Sequence, residues 1–88
     1  NNMNSVTFEK IDSGVVGYYR INGISAEIHI DENGTGNASF ELDEDGYYEE
    51  DFFNHDKDSQ WYGHFHTFEC NEDGADKAFD LLMESYLV

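Results

Sequence analysis

Asn22-Gly23-Ile24-Ser25-Ala26-Glu27-Ile28-His29-Ile30 is the stretch that decides how this chain folds. A type I′ turn needs positive φ at both central residues, which Asn-Gly supplies more readily than any other pair. Behind it, Ile24, Ala26, Ile28 and Ile30 alternate with Ser25, Glu27 and His29, so one side of the strand is apolar and the other polar. Upstream, Val15 to Ile21 is β-branched and aromatic and forms the other arm of this hairpin. Before it, Val6-Thr7-Phe8-Glu9-Lys10-Ile11 alternates as a first strand that ends in the turn Asp12-Ser13-Gly14. Downstream, Asp31-Glu32-Asn33-Gly34-Thr35-Gly36 makes a second turn, and Ala38, Phe40 and Leu42 are the inward set of the next strand. The first half therefore reads as an antiparallel meander.

The stretch 41–58 breaks this pattern, with nine acids and one Lys around Tyr47, Tyr48, Phe52 and Phe53. Tyr48 and Phe52 are four apart, which predicts a short helix, with an ordered loop as the alternative. Strand character returns over 61–70: Trp61, Phe65 and Thr67 fall on one side, and Tyr62, His64, His66 and Phe68 on the other. Aromatics on both sides leave the buried side open. Asn71 and Asp73 are candidate N-caps for a final helix, and Asp76 sits in its first turn, where the dipole favours acids. Ala75, Ala78, Phe79, Leu82 and Tyr86 recur at helical spacing as one apolar stripe. The expected fold is α+β: an antiparallel sheet of about five strands with one C-terminal amphipathic helix packed on one face. Residues 3–88 read as a single domain, and Asn1 and Asn2 ahead of Met3 look like an added remnant.

Charge is the other dominant feature. Asp and Glu number 20 against 4 Lys plus Arg, giving −16 on 88 residues. Such chains often stay disordered, but here 39% hydrophobic and 16% aromatic residues supply a core. No apolar run reaches the roughly 18 residues of a membrane span, and no basic segment leads an apolar one as in a secretion signal. Cys70 is alone, which excludes an internal disulfide and suits a reducing cytoplasm. Direct binding to nucleic acid or anionic lipid needs cations, and only Lys10, Arg20, Lys57 and Lys77 are present. A macromolecular partner is expected to be a basic protein.

The candidate partner-binding residues are the carboxylates Asp43, Glu44, Asp45, Glu49, Glu50 and Asp51, with Tyr47, Tyr48, Phe52 and Trp61 as aromatic anchors. The alternative for this segment is a solvated loop whose aromatics tuck into the core. Asp31, Asn33, Thr35 and Gly36 match positions 1, 3, 5 and 6 of a calcium loop, but position 12 is Leu42 and not the required Glu, so an EF-hand is rejected. His64 and His66, two apart on a strand, share a face and are weak metal candidates, with His29, His55 or Cys70 as a third ligand. No metal or cofactor is expected. With neither a glycine-rich phosphate loop nor a Ser nucleophile elbow, and a lone Cys70, no catalytic residue is assigned and the chain reads as a non-enzyme.

Small size, extreme acidity and aromatics among carboxylates, with the Trp61–His64–His66 strand leading into a capped helix, make the chain resemble small acidic bacterial toxin-immunity proteins, including those of contact-dependent growth inhibition. In size and charge it also resembles phage-encoded DNA mimics that block restriction or CRISPR proteins. Either resemblance implies a stoichiometric inhibitor that occludes a basic, nucleic-acid-acting partner. Its carboxylates take the place of phosphates, and Tyr47, Tyr48, Phe52 or Trp61 enters pockets meant for bases. Immunity against a nuclease toxin is the preferred reading, because uneven aromatic-rich segments suit one shaped active site. A regulatory adaptor or small metal-binding domain is the remaining alternative.

Overall fold

A computed structural model of the chain describes residues 3–42, 46–54, 56–59 and 62–87. Five strands follow in order, β1 (Ser5–Ile11), β2 (Gly14–Ile21), β3 (Ile24–Asp31), β4 (Gly36–Leu42) and β5 (Tyr47–Asp51), before helix α1 (Glu72–Leu87). The strands form one antiparallel sheet in sequence order β1-β2-β3-β4-β5. The fold is thus the expected α+β meander with one C-terminal helix on the sheet.

The turn chemistry acts as its residues dictate. Asn22 and Gly23 have φ of 49° and 84°, the left-handed pair a type I′ turn demands, and Ile21 pairs directly with Ile24. Between β3 and β4, the Asp31 carboxylate accepts hydrogen bonds from the Asn33 and Thr35 amides, both at 2.9 Å. The resemblance of this stretch to a calcium loop therefore reflects a turn in which the side chain of Asp31 satisfies backbone donors.

Register sorts the side chains onto two faces. Inward lie Val15 and Tyr19 of β2, Ala26, Ile28 and Ile30 of β3, and Ala38 and Phe40 of β4, all buried. Against them α1 lays its stripe, with Ala75, Ala78, Phe79 and Leu82 buried and Tyr86 partly so. The Tyr19 and Phe79 rings stack with centroids 4.2 Å apart and planes 4° from parallel. Gly17 makes room for this stack: a Cβ there would stand 2.6 Å from the Tyr19 ring.

Two expectations are corrected. The segment after Gly46 forms edge strand β5, paired with β4 through Phe40↔Tyr48 and Ala38↔Glu50, where a short helix or loop was expected. Spacing of four puts Tyr48 and Phe52 on the same side of a helix and also of a strand, so periodicity alone did not distinguish them. Pairing decides it: Tyr48 stacks on Phe40 at 5.3 Å, and the Phe52 amide donates to the Gly36 carbonyl. Conversely, the strand expected over 61–70 is reduced, among the described residues, to the isolated bridges Phe53↔Phe65 and Thr35↔Thr67. The sheet had already gained its fifth strand, and this segment instead straps across the end of β5. Of its aromatics, Phe68 packs edge-on against Phe52 at 5.3 Å, while Tyr62 and Phe65 are exposed.

Candidate acidic interaction face

β5 is the outer strand of the sheet and carries the middle of the acidic segment. Its side chains alternate, so they divide between two surroundings. Tyr48 and Glu50 turn toward the helix side: Tyr48 lies beside Phe40 and Tyr86, and Glu50 accepts a hydrogen bond from the Tyr86 hydroxyl. Tyr47, Glu49 and Asp51 turn the other way and are exposed. The Tyr47 hydroxyl donates to Glu49 Oε1 at 3.3 Å, and Asp51 Oδ1 accepts from the Phe53 amide at 3.0 Å.

Phe52, expected among the binding aromatics, is fully buried in the core and presents no surface to a partner. Asp43, Glu44, Asp45 and Trp61 lie outside the described residues, as does His55. The structure therefore brings together Tyr47, Glu49 and Asp51 on one face and Tyr48 and Glu50 on the other.

The loop after β5 adds acids that the sequence did not single out. Buried Asn54 accepts a hydrogen bond from the Asp56 amide at 2.7 Å, and Asp56 accepts from the Asp58 amide at 2.9 Å. These turns place Asp56 and Asp58 beside a recess of about 720 Å³ along the β5 edge, which Tyr48, Glu49, Glu50 and Asp51 also line. Among the described residues, the one carboxylate–cation-type contact within 4 Å is Glu27 with the His29 imidazole at 3.9 Å. At this edge Glu49 accepts from a phenol, and Asp51 and Asp56 accept from backbone amides.

His64 and His66 do meet: Nδ1 of one lies 3.3 Å from Nε2 of the other, a distance at which one imidazole N–H bonds the other ring. Among the described residues, no group of three or more His, Cys, Asp or Glu side chains is placed to hold a metal ion.

Register reveals a second group that the sequence reading missed. On the other face of the sheet, from β1 to β5, run the rows Thr7-Tyr18-Glu27-Ser39-Glu49 and Ser5-Arg20-Ser25-Glu41-Tyr47, followed by Glu9-Val16-His29-Asn37-Asp51, of which Val16 is buried. The Tyr18 hydroxyl donates to Glu9 at 3.1 Å. That bond, assisted by the negative field of Glu9 and Glu27, raises the Tyr18 phenol above its ordinary range. The polar alternation of Ser25, Glu27 and His29 was visible in the sequence; what it lacked was the pairing that sets these residues beside Tyr18 and Glu49. Comparisons with protein-family models, with curated proteins and with solved structures gave no match. No described helix is long and apolar enough to cross a membrane.

Proposed function

We propose that this chain is an acidic inhibitor that binds and occludes a basic, nucleic-acid-acting protein, in the form of an immunity protein neutralising a nuclease toxin in the cytoplasm. The observation that supports this reading is the set of carboxylates along β5 and its following loop, Glu49, Glu50, Asp51, Asp56 and Asp58, gathered at one recess. Glu49, Asp51, Asp56 and Asp58 form no ion pair with a described cation. Crowded carboxylates repel one another, and a basic partner relieves that repulsion while the long-range field accelerates its approach. Arginine guanidinium groups pair with carboxylates as they do with phosphates, so a surface of this kind competes for a nucleic-acid site.

The test is affinity capture from the source cells, with the product of the neighbouring gene included, followed by assay of the captured protein. A basic nuclease inhibited at one-to-one stoichiometry is the expected result. Recovery of nucleic acid itself, or of an acidic protein, would overturn the proposal. Recovery of a restriction or CRISPR protein would favour the DNA-mimic form of the same mechanism.

A further inference from the structure

The acids are distributed over more than one side of the molecule, so charge alone does not say where a partner sits. Helix α1 carries Glu72, Asp73, Asp76, Asp80 and Glu84 with one Lys, and the open face of the sheet carries Glu9, Glu27, Glu41, Glu49 and Asp51 with Arg20 and His29. The two differ in what accompanies the carboxylates. Tyr18 and Tyr47 are exposed large side chains that register places on the open face, at 36% and 60% of full exposure, whereas among the described side chains of α1, residues 72–86, none is an exposed large hydrophobic. The tyrosines also line one shallow groove of about 380 Å³ on that face, with Glu27, Glu41 and Arg20.

We propose that the basic partner docks on this open sheet face, through arginines that pair with Glu9, Glu27 and Glu49 and stack on Tyr18 and Tyr47. The inference rests on the inhibitor reading above and adds the face and the recognising chemistry. Each tyrosine hydroxyl is already bonded to a carboxylate, Tyr18 to Glu9 and Tyr47 to Glu49. That bond orients the carboxylate and leaves its remaining lone pairs for a planar guanidinium, while the adjacent ring offers a π-face to the same group. Lysine, a compact and strongly hydrated charge, gains less from such a site. Tyrosine is a favoured anchor in protein interfaces, and surrounding charges act mainly on the rate of encounter. Arg20, in the same row as Tyr47 and next to the row of Tyr18, marks a point where a partner must bring a neutral or acidic group, which sets the orientation of docking.

The probe is a nona-arginine peptide titrated into the ¹⁵N-labelled full chain, with amide shifts followed at low and at moderate salt. Saturable binding is expected, with the largest shifts at Thr7, Tyr18, Glu27, Ser39 and Glu49. The double variant Tyr18→Ala/Tyr47→Ala keeps the net charge and should lower affinity on the order of tenfold by removing two ring contacts. Nona-lysine should bind more weakly than nona-arginine. A second variant, Glu27→Gln/Glu49→Gln, keeps side-chain shape and should weaken binding more than Asp80→Asn/Glu84→Gln, which removes the same charge from the helix. Shifts concentrated on α1 or at the β5-edge recess around Glu50, Asp56 and Asp58, or equal weakening by the two charge-matched variants, would overturn the docking face and leave the inhibitor reading standing. Absence of saturable binding even at low salt would sink both.

Discussion

The Tyr19 hydroxyl donates a 2.9 Å hydrogen bond to Asp76, joining β2 to the first turns of α1 across 57 residues of chain. The same ring stacks on Phe79, so one side chain fixes both the height and the rotation of the helix on the sheet. Burial, then the bond to Asp76 and the fields of Asp76, Asp80 and Glu72, push the Tyr19 phenol far above its ordinary range. The unfolded chain therefore loses the Tyr19 proton near pH 10 while the folded chain keeps it. A group whose folded value is raised contributes fully below the unfolded value, and its contribution is lost as pH climbs from there toward the folded value. Chemical denaturation at a series of pH values should show stability falling above about pH 10, and Tyr19→Phe should flatten that limb. Below pH 9 the same variant should cost about 1.5–3 kcal/mol, the worth of a hydrogen bond to a charged group. An unchanged alkaline limb in Tyr19→Phe would show that other tyrosines carry it.

Two aromatics of the acidic segment should behave oppositely. Phe52 is fully buried against Phe68, so Phe52→Ala should destabilise by about 3–5 kcal/mol through lost transfer energy and a cavity. Tyr47 is mostly exposed, and Tyr47→Ala should stay within about 0.5 kcal/mol of the parent. Urea unfolding of both variants measures this. A large loss from Tyr47→Ala would mean that this residue supports the fold and cannot serve as a free anchor.

This pair also shows where the sequence was legible. The β2–β3 hairpin was readable because Asn22-Gly23 fixes the turn and period-two alternation fixes the face. The helix was readable because Ala75, Ala78, Phe79 and Leu82 repeat at 3.6 and Asn71 caps them. β5 was not, since Tyr48 and Phe52 satisfy both periods and only pairing with Phe40 and Gly36 chooses between them. The open acidic face escaped for a related reason: Tyr18, Glu27 and Glu49 are far apart in sequence and are neighbours only through register.

Carboxylate crowding predicts a salt response. With −16 net charge and no Lys or Arg ion pair between described residues, self-repulsion destabilises the folded chain most at low ionic strength. Raising salt from about 0.01 to 0.5 M shortens the screening length from about 30 Å to under 10 Å, which removes most of the repulsion between faces. A gain of about 1–2 kcal/mol is expected, seen as a rise in Tm of about 5–15 °C for a domain of this size. Thermal melts in sodium chloride provide the measurement, and a flat Tm across that range would remove the support for stored repulsion.

The start of α1 gives a prediction opposite to ordinary helix rules. Asn71 is the N-cap: its side-chain oxygen accepts from the Gly74 amide at 2.8 Å, and its carbonyl from the Ala75 amide at 3.0 Å. Asn71→Ala should cost about 1 kcal/mol by leaving the Gly74 donor without that partner. Replacing glycine with alanine inside a helix normally stabilises by up to about 1 kcal/mol. At Gly74, however, a Cβ would fall 1.7 Å from the Glu69 carbonyl oxygen, so the strap entering the helix must move away. That strap leads back through Phe68, whose amide is bonded to the Gly34 carbonyl and whose ring packs on Phe52. Displacing it disturbs the end of the core as well as the cap. Gly74→Ala should therefore destabilise, by more than Asn71→Ala, and should raise amide exchange at Phe68 together with the first turn of α1. Stabilisation by Gly74→Ala in urea titration would show that the close approach of helix and strap is not needed for the fold.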